Sequence, residues 1–468
     1  MRLQVKARGF KLKKGEVTAF LSLIFILIIS FISAMIESTV IQTEKNQKRL
    51  DVDRAVFSIF GEYQKQLLEE YEVLAIDISY GTASYREENL LDRMRYYGSV
   101  GIEHDIQGIQ YLSDKNGNAF REQVLDYMED TYGISIIRDL AGMTGQWQEQ
   151  ELNGEELGRQ DSEWNTQLEE TLEENESMLP AEENPLPNVE NLKQSSLLQL
   201  ILPREYQLSG RQINLSEQPG ARTLRKGKGS FYMRQDLNGI EERLLFHEYL
   251  LKKFSNAVET KGENRSLSYE IEYMIGGKGS DSENLEAVAK KLLAIRFGMN
   301  YLYLQTDTEK QAEVEALALT LSTLAALPAV AGIVKQVLLA AWAFGESVMD
   351  LRSLMSGRKA ALVKNSGNWQ LSLSSLMTLG TGEDTQEGMD AEDGLSYTDY
   401  LRILLFLQNE DTLTMKALDR VEQNIRLEKN ITNFCIDSCV VKLKLQNKAI
   451  IREGLEYQFP VYFGYETA

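Results

Sequence analysis

Cysteine, histidine and proline are all scarce in this chain. Its 468 residues include two cysteines, two histidines and seven prolines. Two cysteines exclude a disulfide-dense scaffold and a four-cysteine zinc site. The histidines, His104 and His247, leave little material for histidine-based metal or acid–base chemistry. The residue types present therefore give no reason to expect a cofactor or a bound metal.

Positive charge is also in short supply. Lys and Arg number 50 against 70 Asp and Glu, so the net charge is -20. An acidic protein is a poor general nucleic-acid binder, because proteins that bind the phosphate backbone usually have an excess of basic residues. The motifs of serine hydrolases, zinc proteases and EF-hands do not occur in the sequence. We therefore expect no enzymatic activity, with an anchored cell-wall hydrolase that uses a carboxylate pair as the alternative.

The amino-terminal region has the pattern of a membrane anchor. Residues 1–15 carry six basic residues and no acid, and the 20 residues of 17–36 are uncharged. A helix of that length matches a bilayer core, and the basic flank favours a cytoplasmic amino terminus. We predict a cytoplasmic tail over 1–15, a transmembrane helix over 16–37 and a single-pass protein whose remaining chain is extracytoplasmic. A cleaved signal peptide is the competing interpretation.

The residues after the apolar run predict a helical stem that leads into an α+β region. Val52, Val56 and Ile59 recur at helical spacing, and we expect the helix to continue to about residue 71. Strands are predicted over 72–79 and 105–112, a turn over 113–118 and a helix over 120–132. Residues 38–144 thus form a stem and a small α+β unit, typical of the α+β fold class.

A strongly acidic segment follows at 145–195. Between residues 149 and 190 there are 14 acids and one base, and three of the seven prolines lie in the same segment. Charge of one sign with few apolar residues is typical of disordered chain. The sequence therefore predicts a disordered linker over 145–195.

The remaining residues, 196–468, predict a mixed helical and antiparallel-sheet ectodomain. Alternation indicates a strand over 266–275, and helical periodicity indicates a long helix over 281–304. Residues 316–334 are a second uncharged run, which is either another membrane span or part of a buried helical pair over 314–356 broken near Pro328. We favour the buried pair. Alternating apolar residues near the carboxyl terminus predict a hairpin.

Two glycine-rich loops are candidates for binding an anion. Arg225, Lys226 and Lys228 lie in a basic loop that could hold a teichoic or lipid phosphate, although a solvated loop explains the same residues. Residues 276–280 lie between a predicted strand and a helix, but their spacing is not that of a phosphate-binding loop. Ser280 and Glu283 instead predict a helix-capping box.

The first 70 residues resemble the TadE/TadG-like proteins of tight-adherence (Flp) pilus systems. The resemblance lies in Lys14-Gly15, in the segment EVTAFLSL over 16–23 and in a helix that continues beyond the membrane. It implies a pseudopilin-like or accessory pilus protein whose partners are the lipid bilayer and other pilus or secretion-system subunits. It also implies a processing site between Gly15 and Glu16. The fifth residue after that site is Phe20, whereas processed pilins usually have glutamate there.

The whole chain is similar to a group of uncharacterised bacterial membrane proteins that share a domain of unknown function. The matching segments are EYQKQLLEEYEVLAIDISYGT (62–82), EYLLKKFSNAV (248–258), AWAFGESVMDLRSLMSGRKAALVK (341–364) and YTDYLRILLFL (397–407). This resemblance implies an exported, anchored protein encoded near pilus genes, with no catalytic residues to transfer. A ligand-binding surface protein is a further alternative.

Overall fold

A computed structural model of the protein describes residues 14–132, 144–232, 234, 237–262, 264–428 and 431–465. Its strands are β1 (Ile76–Asp77), β2 (Ile102–Tyr111), β3 (Cys439–Ile450) and β4 (Glu456–Gly464). Its helices are α1 (Lys14–Phe60), α2 (Lys65–Tyr71), α3 (Glu88–Tyr96), α4 (Asp114–Tyr132), α5 (Thr144–Glu174), α6 (Leu186–Gln194), α7 (Leu197–Ile201), α8 (Ile240–Lys253), α9 (Glu270–Gly276), α10 (Asp281–Thr306), α11 (Thr308–Leu324), α12 (Ala331–Met355), α13 (Tyr397–Phe406) and α14 (Glu410–Glu428). The predicted α+β class is confirmed.

Helix α1 runs without a break for 47 residues, through the apolar run and into the stem. It ends at Phe60, earlier than predicted, and α2 begins four residues after the glycine at position 61. Gln64 caps α2, since its side chain accepts a hydrogen bond from the amide of Gln66. The long helix is therefore as the hydropathy predicts, and the turn at 61–64 separates it from α2.

A four-stranded antiparallel sheet packs against the second half of α1. Strand β3 is central and pairs with β1, β2 and β4. Its pairing with β4 confirms the predicted carboxyl-terminal hairpin. The buried stem residues Val52, Val56 and Ile59 form one apolar cluster with the sheet. Because β1 and β2 pair with β3, the sheet joins two regions that the sequence places in separate units, 38–144 and 196–468.

The hairpin lies along α1 with its turn directed towards the apolar half of the helix. The amide of Arg452, in the turn, donates a 2.7 Å hydrogen bond to a carboxylate oxygen of Glu44. At the other end of β4, the rings of Phe463 and Phe60 are 4.6 Å apart. These contacts at the two ends of β4 set the position of the sheet along the axis of α1.

The helical body has α10 and α12 at its centre. Helix α12 is buried along most of its length, and its Trp342 donates a 2.8 Å hydrogen bond to the carbonyl of Leu371. Helices α11 and α12 are separated at Pro328, which begins a short 3-10 turn. The predicted helical pair over 314–356 is present, although α11 is buried on one face only.

The acidic segment 145–195 is mainly helical, which corrects the prediction of a disordered linker. Helix α5 packs on α10 and carries two buried leucines, Leu157 and Leu168. A Cβ atom on Gly154 would lie only 2.2 Å from the carbonyl oxygen of Ala294, so glycine permits the close helix crossing. A few apolar contacts and one close helix crossing are enough to hold this acidic segment in a folded helix, because most of its acidic side chains face solvent.

The predicted strand over 266–275 is also wrong, because residues 270–276 form helix α9. Every side chain from Glu270 to Ile275 is buried, so burial on all sides removes the helical periodicity from the sequence. The predicted N-cap that follows is confirmed, because the Ser280 hydroxyl oxygen accepts from the Glu283 amide at 3.3 Å. The Glu283 carboxylate accepts from the Ser280 hydroxyl at 2.9 Å instead of from the Ser280 amide, so only the first half of the predicted capping box is formed.

Candidate functional site

The basic loop predicted to bind an anion lies against the edge of β2. The amide of Lys228 donates to the carbonyl of Ile109 and the reverse bond is also made, each at 3.0 Å. A Cβ atom on Gly227 would lie 2.3 Å from both the Ile109 carbonyl oxygen and a carboxylate oxygen of Asp114. Glycine is therefore required at 227 by close packing, which accounts for part of the glycine-rich pattern.

A non-helical turn at the start of α4, directly after β2, forms the opposite side of the site. Lys115, Asn116 and Gly117 are consecutive left-handed residues with φ of 51°, 59° and 79°. Left-handed backbone costs a non-glycine residue about 1–2 kcal/mol, and such strain tends to occur at functional sites. Asp114 fixes the turn, because its carboxylate accepts from the amides of Tyr111 at 2.8 Å and Gly227 at 2.9 Å.

A cavity of about 430 Å³ lies between this turn, the loop and the first turns of α14. Four cationic residues and one carboxylate line it, in a protein whose net charge is -20. We call it the basic cavity. Its lining residues are Ile109, Gln110, Ser113, Asp114, Lys115, Asn116, Leu224, Arg225, Lys226, Gly227, Lys228, Gly229, Phe231 and Met415.

The structure brings the three predicted residues together, but two of them form ion pairs with acidic side chains. Arg225 lies 3.4 Å from a carboxylate oxygen of Asp437, and Lys228 lies 2.8 Å from one of Glu87. The exposed ammonium group of Lys226 has no ion pair or hydrogen bond with any residue that the structure describes. Of the three loop cations, Lys226 is therefore the one whose charge is not paired with an acid among the described residues and can interact with a ligand.

Two buried polar groups of the basic cavity were not found by sequence reasoning. The side chains of Gln110 and Ser113 are only 3% and 4% exposed. The Gln110 Oε1 and Ser113 Oγ atoms have no hydrogen-bond partner among the described residues. Burying such a group without a partner costs about 1–3 kcal/mol. The predicted turn at 113–118 was the available signal for Ser113, whereas nothing in the sequence singles out Gln110.

Asp114 is the carboxyl group of the basic cavity, and burial raises its pKa above the ordinary value. The hydrogen bonds from the Gly227 and Tyr111 amides act in the opposite direction but do not cancel the effect of burial. Both carboxylate oxygens are occupied by backbone donors. Asp114 therefore acts as a connector between the turn and the loop.

A second cluster, Glu422, Cys435 and Asp437, has the residue types of a metal site within 4.8 Å. Arg222 occupies it, donating at 2.8 Å to oxygens of both Glu422 and Asp437. Burial opposes ionisation of Asp437, yet the hydrogen bonds from Arg222 and Arg225 hold its pKa below the ordinary value. Since guanidinium groups already neutralise the carboxylates, these residues fit an ion-pair cluster better than a cation site.

The scarce cysteines and histidines lie in structural positions. Cys435 and Cys439 are free thiols, and Cys439 is buried at the start of β3. His104 lies in the sheet, 2.7 Å from the Asn447 side-chain oxygen, and His247 lies 2.9 Å from Glu410 in the core. The structure does not bring the two histidines into one site.

Of the possible processing site, Gly15 lies exposed in the first turn of α1, directly before the apolar run. The side chain of Glu16 lies outside the described residues. These two residues are far along the chain from the basic cavity and form no common site with it.

The long apolar helix, the mixed helical and antiparallel body and the basic cavity define a helix-rich α+β protein with an apolar extension. Residues 175–450 match a family of unknown function, DUF5702. The match covers more than half of the chain, and the protein belongs to this family. No curated protein and no solved structure matches the chain. The basic cavity combines residues inside the matched region with residues 109–116, which precede it.

Proposed function

We propose that the protein is a non-enzymatic envelope protein held in the membrane by the first half of α1. One observation carries this proposal: every apolar side chain of residues 17–36 is exposed, and Phe20 and Leu27 are 64% and 69% exposed. A run of exposed apolar residues that is 30 Å long matches a bilayer core. Burying each large apolar side chain in lipid contributes about 1.5–3 kcal/mol.

The continuity of α1 supports a rigid connection between anchor and ectodomain. Glu44 contacts the hairpin turn eight residues after Ile36, or about 12 Å along a helix. The ectodomain would therefore be held at a fixed distance from the bilayer. The basic residues of 1–15 favour a cytoplasmic amino terminus and an extracytoplasmic carboxyl-terminal region.

The second apolar stretch supports a single-pass arrangement. Residues 328–355 are long and apolar enough to span a membrane, but most of the stretch is buried in the helical body. A side chain that packs against protein on all sides has no surface left for lipid. We therefore assign α12 to the protein core.

The finer proposal is an accessory component of a tight-adherence pilus or secretion system, in contact with its other subunits. It is supported by the resemblance of residues 14–23 to TadE/TadG-like proteins and by the helix that continues past the apolar run. Because Phe20 replaces the usual glutamate, we propose that the chain stays unprocessed. It would then act as a permanent assembly factor.

Two measurements test this finer proposal. Intact mass and amino-terminal sequencing of the protein from native membranes should give a chain that begins at Met1. A chain that begins at Glu16 would contradict a permanent anchor and favour a subunit that enters a filament. Deleting the gene should abolish surface pili while pilin remains in the membrane, and normal piliation would remove the pilus assignment.

A ligand-binding surface protein is the second candidate, and the basic cavity favours it. A membrane-anchored cell-wall hydrolase has less support from the same cavity, because both oxygens of its carboxylate, Asp114, accept hydrogen bonds from backbone amides. Binding without turnover of cell-wall fragments would support the second candidate, and their hydrolysis would support the third.

A further inference from the structure

The basic cavity combines two features that call for one ligand. We infer that it binds a soluble phosphorylated polyol, with the phosphate at Lys226 and the hydroxyl groups at Gln110 and Ser113. The cavity volume of about 430 Å³ lies in the lower part of the range for small-molecule sites, about 300–1,000 Å³. The inference concerns a different part of the chain from the proposed anchor and can fail independently of it.

The charge of the cavity selects an anion. Lys226 has an uncommitted ammonium group, and Arg225 and Lys228 add positive potential although each has an acidic partner. A phosphate that reaches Lys226 gains a charge-assisted hydrogen bond. The single carboxylate, Asp114, repels it less than a free acid would, because backbone amides bind both of its oxygens.

The buried polar groups select hydroxyls beside the phosphate. Gln110 Oε1 requires a donor and Ser113 Oγ can donate or accept, and neither has a partner among the described residues. An inorganic anion offers few donors, whereas a polyol hydroxyl can both donate and accept. A ligand with hydroxyl groups would form hydrogen bonds with Gln110 and Ser113. Without such a ligand, these two side chains lose their hydrogen bonds to water on folding and gain none from the described residues.

The position of the cavity along the stem argues for a soluble ligand and against a headgroup of the protein's own membrane. Ile109 pairs with Leu443, which pairs with Phe463, and Phe463 packs against Phe60. Phe60 lies 24 residues after Ile36, or about 36 Å along the helix. If the first half of α1 is the anchor, the cavity lies beyond the reach of lipid headgroups in that bilayer.

The test is calorimetric titration of the full chain in detergent micelles. Glycerol 3-phosphate should bind more tightly than inorganic phosphate, and glycerol should not bind measurably. Repeating the titration in nanodiscs that contain phosphatidylglycerol should leave the affinity for glycerol 3-phosphate unchanged. Weakened binding in nanodiscs would instead assign the site to lipid headgroups.

Three variants separate the parts of the proposed site. Lys226→Glu should weaken both phosphate ligands about tenfold or more, because it reverses the available charge. Ser113→Ala should weaken glycerol 3-phosphate several-fold and leave inorganic phosphate unchanged. Lys278→Glu, at an exposed lysine in the other glycine-rich loop, is the matched control and should change neither affinity.

The inference is overturned if no probe binds at millimolar concentration, if glycerol binds as well as glycerol 3-phosphate, or if Lys278→Glu weakens binding as much as Lys226→Glu. Thermal unfolding of each variant shows whether it is folded. Lys226 and Lys278 are exposed, so both charge variants should unfold at the temperature of the unchanged protein. Membrane extraction of the same variants reports on the anchor and should not change.

Discussion

The two halves of α1 form one continuous helix but meet different surroundings. Residues 17–36 are apolar on every face and exposed, whereas Val52, Val56 and Ile59 form one apolar face that is completely buried in a cluster with the sheet and α3. An amphipathic face is typical of a helix packed on a protein core, whereas a helix that is apolar all round is either buried in a large core or spans a membrane. The comparison supports the proposal that the first half of α1 lies in lipid while the second half packs on protein.

Placing charged residues in the exposed apolar half of α1 should have the largest effect, and this effect should be on membrane association. The double change Leu23→Arg with Leu27→Arg should abolish membrane association, because each arginine near the centre of a span costs about 2.5–3.5 kcal/mol on insertion. Membrane fractionation measures the loss, and Leu23→Ile with Leu27→Ile is the apolar control. An unchanged membrane fraction for the arginine variant would show that residues 17–36 do not enter lipid.

Removing a buried side chain from the packed half of α1 should affect only the folded body that packs against it. Ile59→Ala should lower the free energy of unfolding by about 2–4 kcal/mol, because it leaves a cavity in the apolar cluster that α1 forms with the sheet and α3. Denaturant unfolding gives the change, and membrane association should stay the same. Leu50→Ala, at a side chain that is 60% exposed, is the control and should change stability by less than about 0.5 kcal/mol.

Stability should depend on pH in the folded body that packs against the second half of α1, but not in the uncharged residues 17–36. Burial raises the pKa of Glu272 to about 7, although the Ala257 amide and the Tyr397 hydroxyl bind its carboxylate. The folded state then keeps a proton that the unfolded chain loses near its ordinary pKa of 4.5. Ionisation therefore removes stability progressively as the pH rises from about 4.5 to 7, by on the order of 2–3 kcal/mol.

The change Glu272→Gln tests that assignment, because it removes the titrating proton and keeps an acceptor for both donors. The variant should gain stability relative to the unchanged protein at pH 8 and show a smaller difference at pH 4.5. Denaturant unfolding at the two pH values gives the comparison. An equal stability difference at both values would show that Glu272 does not carry the pH dependence.

Hydrophobic pattern predicts those parts of the fold where one periodicity dominates. The helix through residues 17–36 and the alternation in β3 and β4 are of this kind, and both are present. The pattern fails for α9, because burial on every side, including two carboxylates, hides the helical period. It also fails for α5, where a glycine contact and two leucines outweigh an acidic composition.

Only the separate chain segments of the candidate site could be predicted from the sequence, and not the way in which they meet. The basic loop and the turn at 113–118 are visible in the sequence, since glycine, lysine and asparagine mark them. That they meet is a result of the pairing between Ile109 and Lys228, which are 119 residues apart. The burial of Gln110 and Ser113 depends on the same tertiary contact and has no local signature.

Extraction of native membranes at high pH tests the central claim most directly, because it releases peripheral proteins and retains those that span the bilayer. The proposed anchor predicts that the full chain stays in the membrane pellet. Recovery of most of the protein in the soluble fraction would contradict a membrane-spanning first half of α1.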